Sequence, residues 1–172
     1  YNVTKLRWVF PGGTSGQESI RNGIYGLRNN DVKNNDLVLI HDAVRPLVSQ
    51  SIISSNIATC QHYGYAITGV RCQEAILESE DGFYSTTSIP RDKLIRTQTP
   101  QTFRLKDIIN AHDMAKEKGI VNSVSSCTLL AELGGYEMHI VPGEGRNIKI
   151  TTTEDLEIFK VMLQTSKKEW LK

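Results

Sequence analysis

Three groups of residues in this chain have the types and spacing to do chemistry. The first is His41-Asp42-Ala43-Val44-Arg45-Pro46. A carboxylate such as Asp42 can hold magnesium through one or two oxygens, and the Arg45 guanidinium can fork onto a phosphate or a pair of hydroxyls. The same two side chains can instead pair with each other and shape the loop, and the residues alone leave both readings open. His41 reads as a packed histidine at a strand end. The second group is Gly12-Gly13-Thr14-Ser15-Gly16 followed by Ser19. Glycines let backbone approach a flat ring or a phosphate, and the amides of a helix start favour anions; a plain turn has the same composition. The third group is spread along the chain: Arg91, Arg96, Thr99-Pro100-Gln101 and Asn147-Ile148-Lys149-Ile150-Thr151. Lys149 alternates with Ile148 and Ile150, so on a strand it faces away from them. It is then either solvated or directed into a cleft where it would bind phosphate. Together these cations, a magnesium-capable Asp42 and a glycine-rich loop point to phosphate chemistry. No Ser-His-Asp arrangement, metal cluster or Walker loop stands beside them.

The elements that must position these groups read as alternating strands and helices. Residues 6–10 and 65–70 carry strand patterns. Leu37-Val38-Leu39-Ile40 is a continuous apolar run, the pattern of a parallel strand buried on both faces. Helices are expected at Glu18–Leu27 with Ile20, Ile24 and Leu27 on one face, and at Ser49–Tyr63, capped by Ser49, with Ile52, Ile53 and Ile57 inward. Two more are expected at Leu105–Lys118 and Ser126–Leu133. Residues 75–89 predict a β-hairpin turning at Asp81-Gly82. Short strands follow at Met138–Val141 and Asn147–Ile150. A last helix is capped by Thr152 or Thr153, with Glu154 and Asp155 in its first turn and Lys167 and Lys168 near its end. Such alternation predicts an α/β fold with a mostly parallel sheet and helices on both faces.

The bulk properties narrow the function classes. The chain has 172 residues, 39% of them hydrophobic, enough for one domain with its own core. Lys and Arg number 20 against 19 Asp and Glu, a net charge of +1, which excludes a strongly basic nucleic-acid binder. No apolar stretch is long enough for a membrane span. Cys60, Cys72 and Cys127 are few and unclustered, which argues against a disulfide framework or zinc site and for a reducing, cytoplasmic setting. The opening Tyr-Asn-Val carries no charged-then-apolar leader, so no signal peptide is expected.

Taken together, Leu39-Ile-His-Asp-Ala-Val-Arg-Pro46, Thr97-Gln-Thr-Pro-Gln101, Asn147-Ile-Lys-Ile-Thr151 and Thr153-Glu-Asp-Leu156, in this order, resemble the methylerythritol-phosphate and ribitol-phosphate cytidylyltransferases. Ser88-Ile-Pro-Arg91 fits the same pattern. The resemblance covers essentially all of residues 1–172 and implies a Rossmann-like nucleotidyltransferase sheet. It implies an enzyme that joins CTP to a polyol phosphate with magnesium, giving a CDP-polyol and pyrophosphate. It also implies a homodimer formed through a hairpin arm at about residues 74–90. Gly12, Gly13, Thr14 and Ser19 would line the cytosine and ribose pocket. Asp42 would position the metal and the nucleotide phosphates, Arg45 would bind the polyol, and Thr99 and Lys149 would hold the substrate phosphate. Arg91 would come from the partner's arm. The family's glycine-rich triphosphate loop is expected before residue 1, which makes 1–172 an N-terminally incomplete domain. Other departures are Gly16 where Arg is usual, Glu74-Ala75 for an Asp-Thr pair, Val124-Ser125 for a Thr/Ser-Asp pair and Arg146 for an Asp. Thr14 and the Thr99-Pro100-Gln101 region lean to the ribitol branch. The alternative is a non-catalytic relative or fragment that keeps the fold and the dimer interface; a nucleotide-sugar enzyme for another base shares the sheet but not the His41–Pro46 motif.

Overall fold

A computed structural model describes residues 3–165 of the chain. The elements run α1 (Gly16–Arg28), β1 (Leu37–Ile40), α2 (Gln50–Tyr63), β2 (Tyr65–Arg71), β3 (Ile76–Glu78), β4 (Thr87–Ile89), β5 (Ile95–Arg104), α3 (Leu105–Glu117), α4 (Ser126–Leu133), β6 (His139–Pro142) and α5 (Thr153–Thr165). Four strands form the main sheet in the order β1-β5-β2-β6, and β3 and β4 form a separate two-stranded ribbon.

The sheet is mixed. β5 lies between β1 and β2 and is antiparallel to both, and only the β2–β6 pairing is parallel. The expectation of a mostly parallel sheet fails because β5 carries no apolar signature: its middle is Thr97-Gln98-Thr99-Pro100-Gln101-Thr102. Yet residues 98–103 are buried. A polar strand can sit there because its groups are paired. The Thr68 hydroxyl donates to the Pro100 carbonyl at 2.6 Å and accepts from Asn56 Nδ2 at 2.8 Å. Gln101 accepts from the Cys127 amide at 3.0 Å. A buried polar group left unpaired would cost about 1–3 kcal/mol.

Other expectations shift with β5. β1 is not buried on both faces; it is an edge strand of the described sheet, half-buried along its length. Residues 6–10 form no strand, with Leu6 and Val9 63% and 83% exposed and no ladder beside them among the described residues. Asn147–Ile150 is likewise not a strand; it is an extended segment fixed by the Ile150 amide donating to the Val44 carbonyl at 2.9 Å.

Helices cover both faces. Along β2, Ala66 joins Cys60, Val141 and Leu37 in a small core under α2. The next residue, Ile67, joins Phe103, Leu105, Ile108 and Leu130 in the larger core with α1, α3 and α4. The alternation is the two-residue period of a strand. On α2 the inward stripe is Ile52, Asn56 and Cys60, and Ile57 is 37% exposed. Asn56 displaces the expected isoleucine because its amide bridges Ile52 and Thr68. Ser15, Ser49 and Ser125 cap α1, α2 and α4, the last as a reciprocal capping box. Gly64, at φ 91°, takes the left-handed position that ends α2. Thr152 accepts from the Asp155 amide and caps α5; Lys167 and Lys168 lie outside the described residues. The hairpin is present, its turn closed by Asp81 accepting from the amides of Phe83 and Tyr84. Among the described residues no helix is long and apolar enough to cross a membrane.

His112, on α3, is 2% exposed and neither ring nitrogen has a hydrogen-bond partner. Burial, helped by the charge of Arg21 and opposed by Asp113, pushes its pKa down to about 4. The unfolded chain therefore takes up a proton that the folded chain refuses, and stability is lost as pH falls from about 6.5 towards 4. Chemical denaturation should show stability falling by about 2 kcal/mol between pH 7 and pH 5. That slope should flatten in His112→Leu; an unchanged slope would assign the acid sensitivity elsewhere.

Candidate active site

The loop after β1 is built around Asp42. Its backbone amide donates to Thr99 Oγ1 at 2.9 Å, and the same hydroxyl lies 3.1 Å from His41 Nδ1. His41 Nε2 in turn meets the Arg45 carbonyl at 3.1 Å. The Arg45 amide closes the turn onto the Asp42 carbonyl at 2.9 Å. His41 is thus a strand-end histidine that braces the loop, as its position suggested.

Two cations converge on the carboxylate. Arg45 Nε reaches Asp42 Oδ2 at 3.3 Å and Lys149 Nζ reaches the same oxygen at 3.4 Å. Among the described residues, both ion pairs of Asp42 use Oδ2 and neither uses Oδ1. Arg45 also donates to the Asn147 carbonyl at 2.8 Å, which ties the 42–45 turn to the segment that carries Lys149. Asn147 is fully buried; its Nδ2 donates to Gln98 Oε1 at 3.2 Å and to the Thr99 carbonyl at 2.9 Å, while its Oδ1 is unpartnered. The ion pair and the ligand-facing role, left open by the sequence, are therefore compatible: the pair exists and borders open space.

That space consists of two adjoining clefts. One, of about 250 Å³, runs from Asp42, Arg45, Lys149 and Thr99 to the starts of α1 and α4, at Gly16, Ser125 and Ser126. The other, of about 320 Å³, shares Arg45, Thr97, Gln98 and Lys149 and adds Arg96, Asn147 and Asp155. The sequence reading named the cations and Thr99 but missed Ser126, whose isolated serine carries no motif. It also missed Gln98 as a wall.

Gly12, Gly13, Thr14 and Ser19 gather at the start of α1 without lining either cleft. The Gly13 amide donates to Ser19 Oγ at 2.9 Å, and the Thr14 amide and hydroxyl donate to Glu18 Oε2 at 2.6 and 2.7 Å. Those bonds hold the Glu18 carboxyl below its usual range. A Cβ on Gly13 would clash with the Glu18 side chain, so glycine here leaves room for its neighbour. Arg91 is also apart: it sits in a short 3₁₀ turn at the base of the hairpin, exposed, and donates to the Gln73 carbonyl at 2.6 Å.

Among the described residues no three His, Cys, Asp or Glu side chains group as a metal site. The donor set fits a magnesium ion that arrives on substrate phosphates, since such ions use one or two carboxylates and keep the rest of their shell for phosphate and water. Asp42, with Oδ1 outside both ion pairs, is the residue that would hold it.

Residues 4–165 match the family model described as IspD, 2-C-methyl-D-erythritol 4-phosphate cytidylyltransferase. The chain is 36% identical over 166 residues to a ribitol-5-phosphate cytidylyltransferase of Lacticaseibacillus paracasei, covering 95% of this chain and 70% of that one. It is 36% identical over 165 residues to a 2-C-methyl-D-erythritol 4-phosphate cytidylyltransferase of Clostridium acetobutylicum, covering 95% and 69%. The crystal structure of the Francisella tularensis 2-C-methyl-D-erythritol 4-phosphate cytidylyltransferase superposes with a TM-score of 0.81 at 29% identity, over 94% of this chain and 73% of that one.

The geometry makes Thr99 the support of the Asp42 loop. Thr99→Val keeps the shape and removes the acceptor of the Asp42 amide. Thermal or denaturant unfolding should show a loss of about 1–3 kcal/mol; a loss below 0.5 kcal/mol would mean that the loop is held without it.

Proposed function

The chain belongs to the 2-C-methyl-D-erythritol 4-phosphate cytidylyltransferase (IspD) family, and from that premise we propose how its clefts carry the reaction. The activity is nucleotidyl transfer: the cytidylyl group of CTP passes to a polyol phosphate, giving a CDP-polyol and pyrophosphate. The polyol phosphate is 2-C-methyl-D-erythritol 4-phosphate, an isoprenoid precursor, or ribitol 5-phosphate, a teichoic-acid or capsule precursor. The observation that carries the site assignment is the convergence of Arg45 and Lys149 on Asp42 at the junction of the two clefts.

A phosphate oxygen of the polyol phosphate attacks the α-phosphorus of CTP. The new P–O bond forms as the bond from the α-phosphorus to the oxygen bridging to the β-phosphorus breaks, and pyrophosphate leaves with that electron pair. No covalent enzyme intermediate is needed. Magnesium held by Asp42 and the phosphates would neutralise charge that builds on the phosphoryl oxygens. Lys149 turns from Asp42 to the phosphates and stabilises the spreading charge. Arg45, anchored on the Asn147 carbonyl, is fixed in place to bind the polyol side. Thr99 lines the site while holding the Asp42 amide, so it positions the substrate phosphate against a rigid floor. Gly12, Gly13, Thr14 and Ser19 are assigned to the cytosine and ribose at the start of α1. The setting is the cytosol, where the free thiols Cys60, Cys72 and Cys127 stay reduced.

The 74–90 hairpin is assigned as a dimerisation arm that carries Arg91 to the other subunit's site. Leu77, Phe83 and Tyr84 on it are 65–85% exposed, and an isolated two-stranded ribbon is marginal in water. A twin arm would cover this apolar surface in a symmetric dimer.

In the full-length protein, Asp42→Asn is expected to lower the rate of pyrophosphate release by about 10²-fold or more with little change in melting temperature. A fully active variant would remove Asp42 from the chemistry, and a largely unfolded one would make it structural. Arg91→Ala and Lys149→Ala should each be nearly inactive. A heterodimer of the two has one site lacking both groups and one intact site, so about half of the wild-type activity should return. Mixed dimers without recovered activity would show that Arg91 does not act across the interface.

A further inference from the structure

Ser126 is the first residue of α4 and one wall of the cleft that holds Asp42 and Lys149. It is 3% exposed, and its Oγ has no hydrogen-bond partner. Its neighbours are engaged within the chain. Ser125 Oγ accepts from the Thr128 amide, Thr128 Oγ1 accepts from the Ser125 amide and donates to the Ser125 carbonyl, and the Cys127 amide donates to Gln101 Oε1. The capping box is complete without Ser126, so capping does not explain it. A buried hydroxyl without a partner is destabilising, and alanine is the better helix former. A ligand in the cleft could supply the partner that the chain does not.

The cleft restricts what that partner is. At about 250 Å³ it is smaller than the usual pocket for a drug-sized ligand, roughly 300–1,000 Å³. Its size suits a short polyol chain better than a whole nucleoside triphosphate. Arg45 and Lys149 bring cationic groups to its lining, Ser125, Ser126 and Thr128 bring hydroxyls, and Ile20, Ile40 and Val124 add apolar surface. A Cβ at Gly16, which also lines the cleft, would meet nothing within 4 Å. A molecule that carries both a phosphate and a chain of hydroxyls matches a lining that holds both cations and hydroxyls.

We infer that Ser126 is a specificity-determining residue that hydrogen-bonds a hydroxyl of the acceptor polyol phosphate in the cleft that Arg45 and Lys149 also line. This rests on the cytidylyltransferase reading above and adds the part of the acceptor that α4 reads. The hydroxyl both donates and accepts, so it suits a polyol hydroxyl in either role. A site built to bind a hydroxyl discriminates against an analogue that lacks it, because its own polar group is then left unpaired.

The test uses the full-length protein, CTP, magnesium and each of ribitol 5-phosphate and 2-C-methyl-D-erythritol 4-phosphate, followed by pyrophosphate release. Ser126→Ala should lower kcat/KM for the preferred polyol phosphate by about 5–10-fold, mainly through KM, with KM for CTP changed less than 2-fold. Its melting temperature should stay the same or rise, since an unpaired hydroxyl is removed. A series of singly deoxygenated polyol phosphates gives the second measurement. One member should lose the same factor with the wild type and be insensitive to Ser126→Ala, which is the signature of a single direct pair. The inference is overturned if kcat/KM for the polyol phosphate is unchanged, if the loss falls on CTP, or if every deoxygenated analogue loses equally in the variant. If the wild type releases no pyrophosphate with either polyol phosphate, the cytidylyltransferase reading itself fails, and this inference with it.

Discussion

The positions of the functional side chains depend on one buried hydrogen-bonded knot, Asn147 against β5. Asn147 is fully buried between Gln98 and Thr99, and its carbonyl takes Arg45 and Gln98 Nε2 at 2.8 and 3.3 Å. Three segments far apart in sequence meet there: the 42–45 turn, the middle of β5 and the stretch before α5. Each contributes one side chain that would be costly to bury alone. Together they satisfy one another in all but one atom, Asn147 Oδ1. Lys149 follows two residues later, held against Asp42 because Ile150 is pinned to Val44. The knot also accounts for a polar strand in the centre of the sheet: β5 is the platform on which the loops are hydrogen-bonded, and apolar side chains could not do this.

That arrangement explains what was legible in the sequence. Helices α2, α3 and α4 and their caps follow from local signals, namely Ser49 and Ser125 at the starts and Gly64, Gly119 and Gly134 at the ends. Asp42, Arg45, Thr99 and Lys149 were legible as a set through the order and spacing of the motifs that carry them, since their residue types alone also allowed a loop-shaping ion pair and a solvated lysine. β5 was not legible as a strand, because its burial depends on partners such as Thr68, Asn56 and Asn147, which lie far off in the chain. The same long-range pairing put Asn56 where an apolar helix face was expected. The apolar pattern at residues 6–10 misled in the opposite direction. Its β propensity is real, but a strand exists only beside a partner, and Phe10 spends its ring against Gly26 instead. Ser126 left no mark in the sequence, since its significance lies in the lack of a partner after folding.

The charges at the site follow a separate logic from the knot. The Asp42 and Lys149 side chains remain 32% and 48% exposed. An ion pair so open to water contributes about 0–1 kcal/mol to stability. The segment bearing Lys149 is therefore held by Asn147, Arg45 and Ile150, and scarcely by its ammonium group. Lys149 can leave Asp42 at little cost to the fold, and in the proposed reaction it would meet an incoming phosphate, where exclusion of water makes the same charge worth far more. Arg45 differs: its side chain is only 12% exposed, and it is locked on the Asn147 carbonyl as well as on Asp42. One cation is thus fixed and the other loosely held, both on the same oxygen of Asp42. On the reaction proposed above, the fixed cation would align an anionic acceptor and the loosely held one would let two anionic products leave.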